Sequence, residues 1–279
     1  MTVGQPVLGV HGIWNTQPGR EPAEAAARLA GQWAKALATG YRDAGLFERP
    51  PAVAATYYAH ALTDGAQGDI DDLAALTPDE QRMAWAWMRE LGVPQEAAQG
   101  VLTVPLRQGL SWLAQRDGRP QQMLARIMTA LLREVYTYLT RPASRARARD
   151  AVIEAVRAHG PRVLVAHSLG SVVAYEALHQ RPDLEVDLLV TLGSPLGLPG
   201  AVFEALDPPP REKRAHRPPG VRRWVNIADP GDLVATPARL GGRFDVDLHA
   251  EAHIGRVDFH TMRGYLSCGL VAAAIAPYA

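Results

Sequence analysis

The sequence predicts an α/β fold, with a mostly parallel central sheet flanked by helices and a helical cap insertion. Three observations carry that expectation. Short β-branched apolar runs recur, from Val7 to His11-Gly12, over Val163, Leu164 and Val165, and from Val186 to Leu192. Their length and type are those of strands buried on both faces. The intervals between such runs carry apolar residues at helical spacing, as the crossovers of a parallel sheet require. From about residue 62 to 142 this alternation stops and the pattern is helical throughout.

Composition bounds the answer. The chain has 279 residues, 47% of them hydrophobic and 21% charged, which suits a single domain over 1–279 with the cap at 62–142 inserted in it. Formal net charge is zero, so no global field points to nucleic acid or a membrane. The acidic run 64–80 and the basic runs 141–149 and 211–223 read as solvated surface. Cys268 is the sole cysteine, which excludes an intramolecular disulfide and any dependence on an oxidising compartment. The first residues lack a basic, apolar leader pattern, and no stretch reaches transmembrane length. A soluble, cytoplasmic protein is expected. Lysine occurs only at Lys35 and Lys213 while alanine and arginine abound, a bias of GC-rich bacterial genomes.

In chain order, the first strand ends at His11-Gly12, where glycine lets the backbone turn so that the next amides, Ile13 foremost, face a cavity. Ala25, Leu29, Trp33 and Leu37 then mark a helix over 21–44, stopped by Gly40 or Gly45, and Val53 to Tyr58 form the next strand. In the cap, Thr77-Pro78-Asp79-Glu80 is a capping box that opens a helix ending at Gly92. Pro105 is expected to separate two short helices, the second striped by Leu106, Leu110 and Leu113. Pro120 opens a long helix whose apolar band, from Met123 to Leu139, is too wide for a surface helix and needs a cover. Trp85, Trp87, Trp112, Tyr136 and Tyr138 are candidates to line a pocket beneath it, or to form the core of the cap itself. A helix over 144–159 returns to the sheet. Strands follow at 186–192 and 221–228, with further alternation through Phe244, Val246 and Leu248, and 267–276 reads as a buried terminal helix.

The strand Val163 to Val165 breaks at Ala166-His167-Ser168-Leu169-Gly170 and resumes at helical spacing through Val172, Val173 and Leu178. A hydroxyl lifted on so abrupt a strand-to-helix turn stands clear of the sheet, which makes Ser168 a candidate nucleophile. Serine is a poor nucleophile at neutral pH and needs a base, which in turn needs an acid to hold its tautomer. His260 follows the last strand and is the preferred base, ahead of His249 and His253. Asp232, anchored by Leu233-Val234, is the preferred acid, and Asp229, next to Pro230, the alternative. Asp258 is assigned to the final turn. In His249-Ala-Glu-Ala-His253 the glutamate is misplaced for the zinc-protease motif, so no metal is expected.

The set Val10-His11-Gly12, Ala166 to Ser171, Leu192-Gly193-Ser194-Pro195, Asn226 to Val234 and His260 to Tyr265 resembles the α/β-hydrolase superfamily, particularly its lipase-like and esterase-like members. In lipase-like relatives the acid often precedes a hydrophobic-valine pair, as Asp232 does, and an aromatic residue often follows the base, as Tyr265 follows His260. Ala166 replaces the commoner glycine, and the helical insertion stands outside the resemblance. What it implies is an α/β-hydrolase fold and a serine hydrolase acting on a small-molecule carboxylic ester or thioester. Ser168, His260 and Asp232 form its triad, the amides of Leu169 and Ile13 its oxyanion hole, and no cofactor takes part. Trp14, His167, Trp87, Trp112 and Tyr136 are the candidate substrate contacts. Acyl transfer on the same triad and a catalytically silent binding module are the alternatives.

Overall fold

A computed structural model describes residues 5–62, 76–94, 103–255 and 260–279. One sheet of six parallel strands organises them, in the order β2-β1-β3-β4-β5-β6: β1 (Val7–Val10), β2 (Val53–Ala55), β3 (Val163–His167), β4 (Val186–Leu192), β5 (Val221–Ala228) and β6 (Leu248–Glu251). The fold class read from the sequence is therefore present, α/β with a fully parallel sheet. Both faces of the sheet are covered, and the strands show why their residues had to be apolar throughout. In β3, Val163 and Val165 face the core shared with α1 (Pro22–Asp43), α7 (Met262–Leu266) and α8 (Gly269–Ile275). Leu164 and Ala166 face the opposite core, shared with α5 (Pro142–His159) and α6 (Leu169–Gln180).

Between β2 and α5 the chain forms α2 (Pro78–Glu90), α3 (Thr103–Asp117) and α4 (Gln121–Thr140). The capping box of α2 is complete: the Thr77 side chain accepts from the Glu80 amide, and the Glu80 carboxylate accepts from the Thr77 amide at 2.7 Å. The wide band of α4 is covered, with Leu124, Ile127, Met128, Leu131, Leu132 and Val135 buried in the same core as Trp87, Leu110 and Leu113. No helix among the described residues is long and apolar enough to cross a membrane.

At four points the structure refines the local expectation. Pro105, expected to separate two helices, lies in the first turn of α3, where an amide has no intrahelical acceptor. The earlier of the two expected helices falls on 95–102, outside the described residues, as do most of the acidic run and Asp258. The strand expected over 53–58 ends at Ala55; the Thr56 amide still donates to the Gly9 carbonyl of β1 at 2.9 Å, and beyond it the chain turns away, Tyr58 N–H donating to His11 Nε2 at 3.1 Å. Phe244 and Val246 precede the last strand; Phe244 is a core residue edge-on to Tyr175, Phe203 and Trp224. Of the two expected helix stops, Gly40 lies inside α1 and Gly45, at φ 67°, follows its end.

Candidate active site

The strand order reverses between β1 and β3: the chain leaves β1 for β2 on one side and returns to β3 on the other. In open parallel sheets the crevice at the carboxyl ends of such a pair is where ligands bind. Ile13 follows β1 there and Ser168 follows β3.

Ser168 has φ 53° and ψ −131°, a conformation that side chains rarely adopt, between the last residue of β3 and the first of α6. Three bonds over-determine it. Its amide donates to the Leu192 carbonyl at 3.0 Å, and its carbonyl accepts from the Ser171 amide at 2.9 Å and the Ser171 hydroxyl at 2.6 Å. The Ser171 hydroxyl, its proton so committed, accepts from Ser194 Oγ at 2.6 Å, which ties the turn to the loop after β4. Glycine is required on both sides. A Cβ on Gly170 would strike the carbonyls of Val10 and His11, and one on Gly12 would sit 2.5 Å from Ser168 Cβ. Leu169 opens α6, so its amide has no intrahelical acceptor and is available to an anion at the Ser168 side.

His260, Asp232 and Ser168 lie in one hydrogen-bonded line. His260 Nε2 is 2.8 Å from Ser168 Oγ, and His260 Nδ1 is 2.8 Å from Asp232 Oδ2. All three side chains are buried. Nδ1 must carry the ring proton to meet a carboxylate, which leaves Nε2 as the acceptor of the serine proton. Asp229 is elsewhere engaged: its Oδ1 accepts from the Gly231 amide and its Oδ2 from the Ile254 amide, each at 2.7 Å, so it shapes the turn and does not reach His260. His249 pairs instead with the Asn226 side-chain amide at 2.9 Å, and His253 is exposed. Among the described residues no group of three His, Cys, Asp or Glu side chains is arranged to hold a metal.

Burial dominates the electrostatics of the flanking histidines. His11 Nδ1 donates to the Gly12 carbonyl at 2.7 Å while Nε2 accepts from Tyr58 N–H, so the neutral ring is the form that fits, and burial lowers its pKa to about 4. His167 packs against His260 with ring centroids 4.6 Å apart; burial, and then the His260 charge, hold it well below the ordinary histidine range. Both rings therefore remain neutral beside His260.

No family model, curated protein or solved structure matches the chain. The site accordingly stands on its own geometry.

The other expected contacts are dispersed. Trp14 follows Ile13 with φ 62° and is half exposed, its amide donating to Glu134 Oε1 on α4 at 3.0 Å. Trp87 is buried and borders a void of about 10 Å³ between α2, α4 and Leu198, enough for one water and not for an acyl chain. Trp112 lies under the Arg116 guanidinium, and Tyr136 donates to Asp79 at 3.1 Å, so both serve the cap's own structure. Sequence reasoning missed the bonds by which the cap reaches the site loops. Trp87 Nε1 donates to the Leu233 carbonyl, Arg119 to the Gly231 carbonyl, and Glu134 receives the Trp14 amide. No local pattern announces such contacts, because each joins residues more than a hundred positions apart.

Proposed function

We propose that the protein is a serine hydrolase of the α/β-hydrolase type, cleaving a carboxylic ester or thioester through an acyl-enzyme. The observation that carries this reading is the His260 ring, with Nε2 2.8 Å from Ser168 Oγ and Nδ1 2.8 Å from Asp232 Oδ2. His260 takes the Ser168 proton at Nε2 as Oγ attacks the acyl carbon, and Asp232 stabilises the imidazolium so formed. The amides of Leu169 and Ile13 receive the oxyanion. Collapse breaks the bond to the leaving alcohol or thiol, which takes the proton from His260; water then repeats the cycle on the acyl-enzyme. The strained turn at Ser168 and the two glycines that accommodate it support the nucleophile assignment. The single cysteine supports a cytoplasmic setting.

A second reading is acyl transfer, in which an alcohol or amine takes the place of water at the acyl-enzyme. A site that keeps water from the acyl-enzyme lets an alcohol or amine compete for it. Product analysis with added alcohols separates the two.

Fluorophosphonate labelling with peptide mapping tests the reading. Label is expected on Ser168 of the wild type and absent from Ser168→Ala and His260→Ala, with ester turnover reduced by about 10⁴-fold or more. Undiminished turnover in pure Ser168→Ala protein would overturn it.

A further inference from the structure

We infer that Tyr265 is a positioning residue for the triad acid, its hydroxyl sharing with His260 Nδ1–H a single carboxylate oxygen of Asp232. The inference rests on the serine hydrolase reading and adds a residue to it.

The Tyr265 hydroxyl lies 2.7 Å from Asp232 Oδ2, and the Asp229 amide lies 2.9 Å from the same hydroxyl. An amide N–H only donates, so it occupies the phenol oxygen and directs the phenol's one proton at Asp232. Asp232 Oδ1 accepts from the Val234 amide at 3.0 Å. Both carboxylate oxygens are thus held by donors other than His260, and the acid is oriented before the histidine meets it. Tyr265 is fully buried, and burial together with the Asp232 charge pushes its pKa upward, so it remains a donor at any working pH.

The chain is built to bring these groups together. Thr261 caps α7, its hydroxyl accepting from the Gly264 amide at 3.0 Å and its carbonyl from the Tyr265 amide at 3.1 Å. The turn after His260 therefore returns Tyr265 to the oxygen that His260 already meets. Opposite them, Gly193 has φ 53°, and a Cβ there would lie 2.5 Å from Asp232 Oδ2 and 3.0 Å from Tyr265 Cε2. A side chain at 193 and the Asp232–Tyr265 pair exclude one another.

A donor to the carboxylate disperses its charge and makes it a weaker partner for imidazolium. The other groups near the pair are His167 from β3, held neutral with its ring centroid 5.8 Å from that of Tyr265, Asp229 after β5, and Arg119 after α3, whose charge senses Asp229 and Asp232. The phenol and the His260 ring meet at Asp232 Oδ2.

Tyr265→Phe removes one oxygen from a side chain whose ring remains. With p-nitrophenyl acetate, kcat is expected to fall on the order of tenfold with little change in KM. The acid limb of the kcat/KM profile is expected to move up by about half a pH unit, because the Asp232–His260 pair gains proton affinity. The downfield proton resonance of the His260–Asp232 bond, identified by its loss in His260→Ala, is expected to shift in Tyr265→Phe without any turnover. An acid limb that stays or moves down, with the resonance unshifted, overturns the inference. Absence of label and turnover in the wild type instead sinks the hydrolase reading, and the resonance then decides the Tyr265 coupling by itself: a shift upholds it, none overturns it.

Discussion

The Trp87 indole donates from Nε1 to the Leu233 carbonyl at 2.6 Å, one residue beyond the triad acid candidate Asp232. On the other side of Asp232, the Gly231 carbonyl accepts from Arg119 at 2.8 Å. Two donors from the cap thus hold the carbonyls that flank the acid. Trp87→Phe keeps most of the packing and removes one of two donors to the Leu233 carbonyl, which the Thr236 hydroxyl still meets at 2.8 Å, a loss of about 0.5–1.5 kcal/mol of stability. The rate of fluorophosphonate attachment to Ser168 is expected to fall severalfold in this variant under conditions where it is fully folded.

Glu134 plays the matching part at the loop after β1, accepting the amide of Trp14 beside the oxyanion candidate Ile13. Glu134→Gln retains a carbonyl oxygen for that amide, and its esterase kcat is expected to stay close to wild type. Glu134→Ala removes the acceptor and is expected to lower kcat by up to about tenfold, the value of one hydrogen bond. Equal rates for the two variants would show that the bond does not govern the loop.

The backbone at Ser168 stores strain that glycine would not feel. Ser168→Gly and Ser168→Ala both delete the hydroxyl, yet only glycine accepts φ 53° and ψ −131° freely. Thermal unfolding is expected to find the glycine variant more stable than the alanine variant by about 1 kcal/mol, with neither taking label.

Acid should destabilise the fold through His11. The unfolded chain binds a proton below its ordinary pKa of 6.5, while the folded ring resists until about pH 4, so stability falls as pH drops through that window. Urea unfolding of wild type and His11→Gln checks the sign. The advantage of the wild type at neutral pH is expected to shrink by about 2 kcal/mol at pH 5. His167, with its pKa lowered too, adds to the acid sensitivity of both proteins.

Glu176 on α6 is a fully buried carboxylate that binds α4, α5 and the loop at 207 together. It accepts from Tyr138 OH at 2.6 Å, Arg145 Nε at 2.8 Å and the Asp207 amide at 3.1 Å. Glu176→Gln removes the counter-charge of Arg145, which keeps the Leu139 and Ala205 carbonyls as acceptors, and is expected to cost about 1–3 kcal/mol. Because the network lies apart from Ser168, the protein that remains folded is expected to label with wild-type stoichiometry.

Much of this was legible along the chain because it depends on neighbours in sequence. The runs that became β1, β3, β4 and β5, the capping box at Thr77 and the break at Ser168 are local patterns, written in side-chain periodicity and turn chemistry. Those patterns determined an α/β fold, a helical insertion and a strained serine between strand and helix. Hydrogen-bond partners are different, since direction and distance arise only when remote segments meet. His260 reaches Asp232 across 28 positions and Ser168 across 92. Asp229 and Asp232 are near-equivalents as sequence, and only the tertiary structure gives the first to the Gly231 and Ile254 amides and the second to His260. The same holds for Tyr265, an aromatic residue in the sequence and a donor to Asp232 in the fold, and for the cap residues that grip the loops around the site.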